Sequence, residues 1–444
     1  MAITTSTGLI SQIDYQALIE QLVQLKRIPV DELIATKDRL KDIDTAYSTL
    51  ESRLKDLRSA ADELRTSTGF KVFTTDVTDS SILSATASSS ATEGVYSIVV
   101  SSVAKAHKLI ASGVSDSDTT AIASTTGSFS FTVGSSTTYS VSVDTSTTLE
   151  NLRDAINNLN AGVTATIVNE GSGTNPYRLI LTSDSTGTAN SITITQNDTD
   201  LTFTDLQAAQ DASLTVDGLS ITRSSNTITD VIDGVTIELK SADSTKTVDL
   251  TVSRDIEEIE KKITSFIDKY NAVVSHIRNN NRYDTDTGVA GAFFGDPIAR
   301  SVMEDLRRTM TSAISGLPDT MNRLIHIGVT TSSDNGTMSI DSAELSDALN
   351  NNFDDVVNLF VDGTSTDGFA SLVYSLTDDM LDYVDGRITN KIENLNDNIS
   401  DLEEEIARKE NEILLYQEQL RIQFASLERL LAGLRAQGDF LANL

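Results

Sequence analysis

The residues of this chain best suited to acid–base or metal chemistry near neutral pH are its three histidines, His107, His276 and His326. They lie far apart in sequence, and no H-E-x-x-H spacing occurs. His276 sits at the flank of an apolar helical seam, where a lone histidine reads as a helix-flank residue and not as a ligand. "GSGTNP" at 171–176 has the glycines of a phosphate loop but neither its lysine nor a strand–helix setting, so it reads as a plain loop. "DTDTGVAG" at 284–291 has two acidic spacings of a calcium loop, but Gly288 stands where a third ligand belongs, which favours a polar turn. There is no cysteine, which removes disulfides, thiolate metal sites and cysteine nucleophiles together. Carboxylates abound and none can be singled out. The expectation is a protein without catalytic residues, metal or cofactor, and not an enzyme.

The 444 residues suffice for about three domains. A net charge of −31 argues against nucleic acid and against anionic membranes, and it makes copies of the chain repel. The opening "MAITTSTGLISQ" lacks the basic and apolar regions of a cleaved secretory signal, and no run is long enough to span a bilayer. The expectation is no membrane insertion, with the chain cytoplasmic or exported by a route that reads no such signal.

Two composition shifts divide the chain. Residues 14–66 are helical in pattern, 72–254 are Ser/Thr-rich with short alternating runs, and the helical period returns from 255. In the first block Pro29 is expected to separate a short helix, about 14–27, from a long one. Leu40, Ile43, Tyr47, Leu50, Leu54, Leu57, Ala61 and Leu64 alternate spacings of three and four, an unbroken heptad seam. A second seam runs from Ile256 to Ile277, and further helices are expected at about 297–315, 342–360 and 367–384. The last block holds one register through Ile388, Ile392, Leu395, Ile399, Leu402, Ile406, Ile413, Tyr416, Leu420, Leu427, Leu430 and Leu434. As a single helix, 388–434 would reach about 70 Å. In the middle, hairpins are expected about Gly134–Ser136, at Asp217-Gly218 and at Asp233-Gly234, with an amphipathic helix in "TTLENLRDAINNL".

The fold class expected is α+β and multidomain. N- and C-terminal helices would form a coiled-coil and helical-bundle leg, with a β-rich, two-domain head inserted between them. The boundaries read as 1–71 for the first part of the leg, and 72–115 with 212–254 for a discontinuous first head domain. A second head domain, 116–211, is inserted in the first, and 255–444 returns to the leg.

A seam needs a partner: a second copy, another segment of the chain, or another protein. With Ile406 as position a, Glu403 and Glu410 fall at e and Glu405 and Glu412 at g, so self-pairing would set like charges together. The N-terminal helix carries Arg39, Arg53, Arg58 and Arg65 on its flanks, with Asp44 and Glu51 against the trend, and Lys262 and Lys269 stand on the helix from 256. Either the same chain supplies the complement, or these charges form a solvated face with no pairing meaning. Past about Leu414 the apolar surface is wider than one partner needs. Leu414 and Leu415 lie off the seam, and Phe424 and Leu431 widen it at e. The short helix at 14–27 covers that surplus, or a further partner does.

"GLISQIDYQALIEQLVQLKRIPVDELIATKDRL" resembles the N-terminus of the flagellar hook-associated protein 2 family, and "DGLSITRSSNTITDVIDGVTIEL" followed by "VSRD" resembles one of that family's more specific stretches. "TLENLRDAINNLNAGVTATIVNEG" with "RLILTSDSTG" looks like the hook IN motif, and "YQEQLRIQFASLERLLAGL" like the family's C-terminal end. The chain departs from the family pattern at Ser11-Gln12-Ile13-Asp14, where a glycine-rich turn is usual, and at the closing "AQGDFLANL". The resemblance implies a protein exported through the flagellar channel, handled by an export chaperone, and assembled as a ring-shaped homo-oligomer at the filament tip. There it would hold incoming flagellin until it folds into the lattice. Three rivals stand beside this reading: an adhesin whose Ser/Thr-rich head binds host glycans or mucin, a flagellin or junction protein, and an enzyme.

Overall fold

The computed structural model describes residues 14–134, 137–286, 288–363 and 367–442. The chain forms two compact units, one of residues up to Phe70 with Glu257 onward, the other Lys71–Ile256. The fold is α+β, with helices from both ends in one unit and a β-rich middle in the other.

The chain departs from expectation at once. One helix, α1, runs from Tyr15 to Asp62 with Pro29 inside it. A proline within a helix costs about 3 kcal/mol through a lost hydrogen bond and a ring clash. Here Pro29 faces solvent. Its neighbour Val30 is buried and packs with Ile406 and Ile413, with Val23, Leu33 and Ile34 around them. Each such side chain contributes about 1.5–3 kcal/mol on full burial, so the packing on both sides carries the helix through. Asp14 starts α1 by accepting from the Ala17 amide (3.0 Å). The helix ends in the short 3-10 turn Ser67–Phe70. Gly69 is required there, because a Cβ would fall 1.8 Å from the Glu63 carbonyl oxygen.

The β-rich unit has two cores. The first lies between a five-stranded antiparallel sheet, ordered Phe73–Val77, Asp243–Arg254, Gly94–Ser102, Ala212–Val216 and Leu219–Arg223, and the three-stranded sheet of Thr227–Ile232, Val235–Leu239 and Leu83–Ala87. Ile98, Val100, Leu214, Ile237 and Leu250 fill it. Asp217 and Gly218 both have positive φ (51° and 81°), the turn that a two-residue hairpin demands. The second core is built from residues between Leu109 and Leu201. Helix α2 (Leu149–Asn158) begins in a Thr148/Asn151 capping box and buries Leu149, Leu152 and Ile156 against Phe129, Phe131 and Leu181. Strands Gly127–Val133 and Tyr139–Val143 pair as expected of a hairpin, while the expected turn residues Ser135 and Ser136 lie outside the described residues, as do Ser11–Ile13.

The helical unit resumes with α3 (Ile256–Asn280), α4 (Pro297–Thr311), α5 (Ser342–Asn351), α6 (Phe353–Phe360), α7 (Phe369–Leu381) and α8 (Arg387–Ala442). The single helix expected over 342–360 is two, broken at Asn352 (φ −135°, ψ 41°). Asn350–Asn352 is a run of side chains that compete with the helix for backbone partners. The second half of α1 lies in the core: Tyr47, Leu50, Leu54 and Leu57 are fully buried, as are Leu64 just past its end, Ile263, Phe266 and Tyr270 of α3 and Val302 and Leu306 of α4. The Tyr270 hydroxyl donates to the Gly336 carbonyl (2.9 Å), and burial pushes its pKa up to about 12.

Candidate interaction site on the long helices

None of the residues suited to chemistry converge. His107 is buried in the β-rich unit; its Nδ1 accepts from the Ile192 amide (2.9 Å) and its Nε2 lies 3.2 Å from Asp205 Oδ1. His276 donates Nε2–H to the Ala46 carbonyl (2.9 Å), stands edge-on to Phe293, and has its pKa lowered by burial. His326 is exposed on a 3-10 turn. The 171–176 stretch joins two antiparallel strands, so no helix N-terminus faces it. Among the described residues no trio of His, Asp or Glu is placed to hold a metal, and no helix is long and apolar enough to cross a membrane.

What the helices build instead is a long antiparallel pairing of α1 with α8. Tyr47 stands level with Lys391, whose ammonium lies 5.6 Å from its ring centre. Farther out Lys41 meets Glu403 (2.6 Å) and Arg27 meets Glu410 (3.6 Å). At the far end the Tyr15 and Phe424 rings stack at 4.8 Å. The acidic flank of α8 is thus answered from the same chain, and the Lys41 ammonium holds the Glu403 carboxyl below its ordinary range.

The residues that answer it differ from those the heptad register names. Arg53 donates to the Ala272 carbonyl and Arg58 pairs with Asp378 (2.7 Å). Both lie farther along α1 than Tyr47, alongside other helices and away from the acidic stretch. Glu412 pairs with Lys409 of its own helix (3.3 Å), and Glu405 is half-buried. With Leu40 as position a, the buried Val30 and the partly buried Val23 stand at e, so the face of α1 that meets α8 differs from the a/d stripe that fills the inner core, and Arg27 lies within reach of Glu410. That change of face, and not charge spacing alone, locates the pairing.

Burial grades along the seam. Leu40, Ile43, Ile392 and Leu402 are half-buried, while Leu395, Ile399, Ile406, Ile413 and Leu420 are buried. The change comes next: Leu420 is 7% exposed and Leu427 43%. Leu430 and Leu434 are exposed too, while Leu431 is half-buried. Phe424 is half-buried, its ring stacked on Tyr15 of the same chain. Leu414 and Leu415 are exposed. Leu18 and Leu25 of α1, and Ile422 of α8, are exposed beside them in the same stretch of the pairing, so both helices offer uncovered apolar side chains there.

Sequence and fold comparisons agree with this architecture. The family model described as flagellar hook-associated protein 2 C-terminus matches residues 209–436, the corresponding N-terminus model 11–107, and the flagellin hook IN motif 128–185. The chain is 29% identical to the B-type flagellar hook-associated protein 2 of Pseudomonas aeruginosa, over 93% of this chain and 91% of that protein. It is 27% identical to the flagellar hook-associated protein 2 of Aeromonas caviae, over 100% and 98%. The crystal structure of the D1-D2-D3 domains of the flagellar cap protein FliD from Escherichia coli superposes with a TM-score of 0.64 at 27% identity, covering 79% of this chain and 99% of that one. With more than half of its length matched by one model of the family, and paired terminal helices flanking a β-rich insert, the chain belongs to the flagellar hook-associated protein 2 family.

Proposed function

We propose that this protein is a structural cap at the distal end of a bacterial flagellar filament, outside the cell, and that it works by binding and steric guidance without bond chemistry. The observation that carries this reading is the pairing of α1 with α8, whose apolar surface continues past Leu420 without cover. A chain of charge −31 that leaves such a surface open has a partner in view. Flagellin is that partner in this reading, and the role is to retain exported subunits and promote their insertion and folding. The chain reaches the tip through the flagellar export channel with a chaperone and assembles there as a ring of copies. Residues 1–71 with 255–444 act as the leg, 72–115 with 212–254 as one head domain and 116–211 as a second.

The test is a gene deletion followed by examination of the culture supernatant. Unpolymerised flagellin in the medium with short or absent filaments is the expected result, and normal filaments would overturn the reading. Adhesion to host mucin or glycans is tested separately, by binding of the full chain to mucin-coated surfaces against bare ones.

A further inference from the structure

One surface of the helical unit is used neither by the bundle core nor by the α1–α8 pairing. The turn between α7 and α8 raises Tyr383 and Val384, 83% and 71% exposed, clear of the protein surface. The turn is locked. The Asp382 carboxylate accepts from the Val384 amide (2.7 Å) and the Asp385 amide (2.9 Å), and the Gly386 amide donates to the Asp382 carbonyl (3.1 Å). A Cβ on Gly386 would lie 2.3 Å from that carbonyl, so the turn admits only glycine there. An aromatic and a branched side chain raised into water on this turn, beside the exposed carboxylates of Asp379, Asp382 and Asp385, form an anchor whose backbone is ordered before it binds.

A second exposed aromatic surface lies elsewhere on the same unit. After α3, the Tyr283 and Phe294 rings lie 5.8 Å apart, tilted by 45°, and remain exposed. Arg282 and Arg300 flank them, both exposed and without an acidic partner among the described residues. Asp284 and Asp286 of the same loop are exposed as well, so the rim carries both signs.

The two surfaces cannot meet within one chain. α4 and α8 run antiparallel: Lys391 lies 3.6 Å from Asp296 at the start of α4, while Arg387 reaches Ser301 (2.9 Å) and Asp305 (2.7 Å) farther along. Tyr383 therefore lies toward the C-terminal end of α4, and Phe294 lies just before its first residue. The 15 residues of α4 set them about 20 Å apart.

We propose that the Tyr383–Val384 turn of one copy docks on the Tyr283–Phe294 surface of the next, as the head-to-tail contact through which copies of this chain associate. Two different patches in contact make a heterologous interface, which yields rings where the rotation closes. Asp379, Asp382 and Asp385 meet Arg282 and Arg300, which offsets part of the repulsion between chains of charge −31. This inference rests on the self-assembly part of the proposed function.

The experiment is sedimentation velocity of the full chain over a range of concentrations, with circular dichroism to verify that each variant is folded. Wild type is expected to form species larger than a dimer. Tyr383→Ser and Phe294→Ser should each weaken association by at least about tenfold. Mixing those two variants should give a dimer and nothing larger, because one intact anchor and one intact receiver remain in each pair. Asp385→Arg and Arg300→Glu should each weaken association, and combining them in one chain should restore it to within a few-fold. Variants that assemble like wild type would overturn the interface while leaving self-assembly intact. A wild type that is monomeric at every concentration would overturn self-assembly itself, and the interface with it.

Discussion

The two halves of α1 are made from similar residues and live in different surroundings. From Tyr47 to Leu64 the seam is closed on several sides by α3, α4, α7 and the start of α8, and its large apolar side chains are fully buried. From Tyr15 to Ile43 the same helix has α8 as its partner, and only Ile19 and Val30 among its large apolar residues are buried. The inner half is a core, the outer half a zipper. A heptad pattern records that a stripe is apolar but not how many neighbours cover it, so stability and availability coexist on one continuous helix.

Core truncation should separate the halves most. Leu54→Ala removes a fully buried side chain and should cost about 2–5 kcal/mol, whereas Ile413→Ala, in a seam of two helices free to close around it, should cost about half as much or less. Chemical denaturation of both variants checks this, and equal losses would merge the two regions.

The next effect is a pH dependence confined to the inner half. Burial lowers the pKa of His276, so the unfolded chain binds its proton more readily than the folded one. Stability should therefore fall as pH drops through 6.5, the ordinary value, and on down to the lowered one. His276→Gln should flatten that part of the profile, and an unchanged slope would remove His276 as its cause.

Smaller still is the charge pairing of the outer half. Glu403 is held below the ordinary carboxylate range by Lys41, so its contribution is present above that range and lost as pH falls through the lowered value. Lys41→Glu or Glu403→Lys should lower the melting temperature slightly, and the double exchange should recover it. The pair is exposed and screened by salt, so the effect should fade at high ionic strength. Leu427→Ala, at an exposed position, should leave the fold of the free chain unchanged while weakening capture of flagellin.

Much of this was legible in the sequence where periodicity is strong. The α8 register from Ile388 to Leu420, the β-rich middle and the Asp217-Gly218 turn follow from spacing and turn chemistry. Pro29 was not legible, because local cost argues for a break and only packing from a segment nearly 400 residues away opposes it. The charge partners were not legible either. Arg27 and Lys41 become flanks only once the helices are set in register and the face turned to α8 is known, and register between distant segments is absent from any local period. Tyr383 and Val384 escaped notice because two apolar residues at a helix end look like core until burial is known.

Hydrogen–deuterium exchange on the full chain at a concentration that keeps it monomeric tests the central contrast most directly. Amides of 47–64 and 259–277 should exchange far more slowly than those of 15–40 and 413–434, with protection of the outer segments rising when flagellin is added. Uniform protection along α1 and α8 in the monomer would contradict the division into core and zipper.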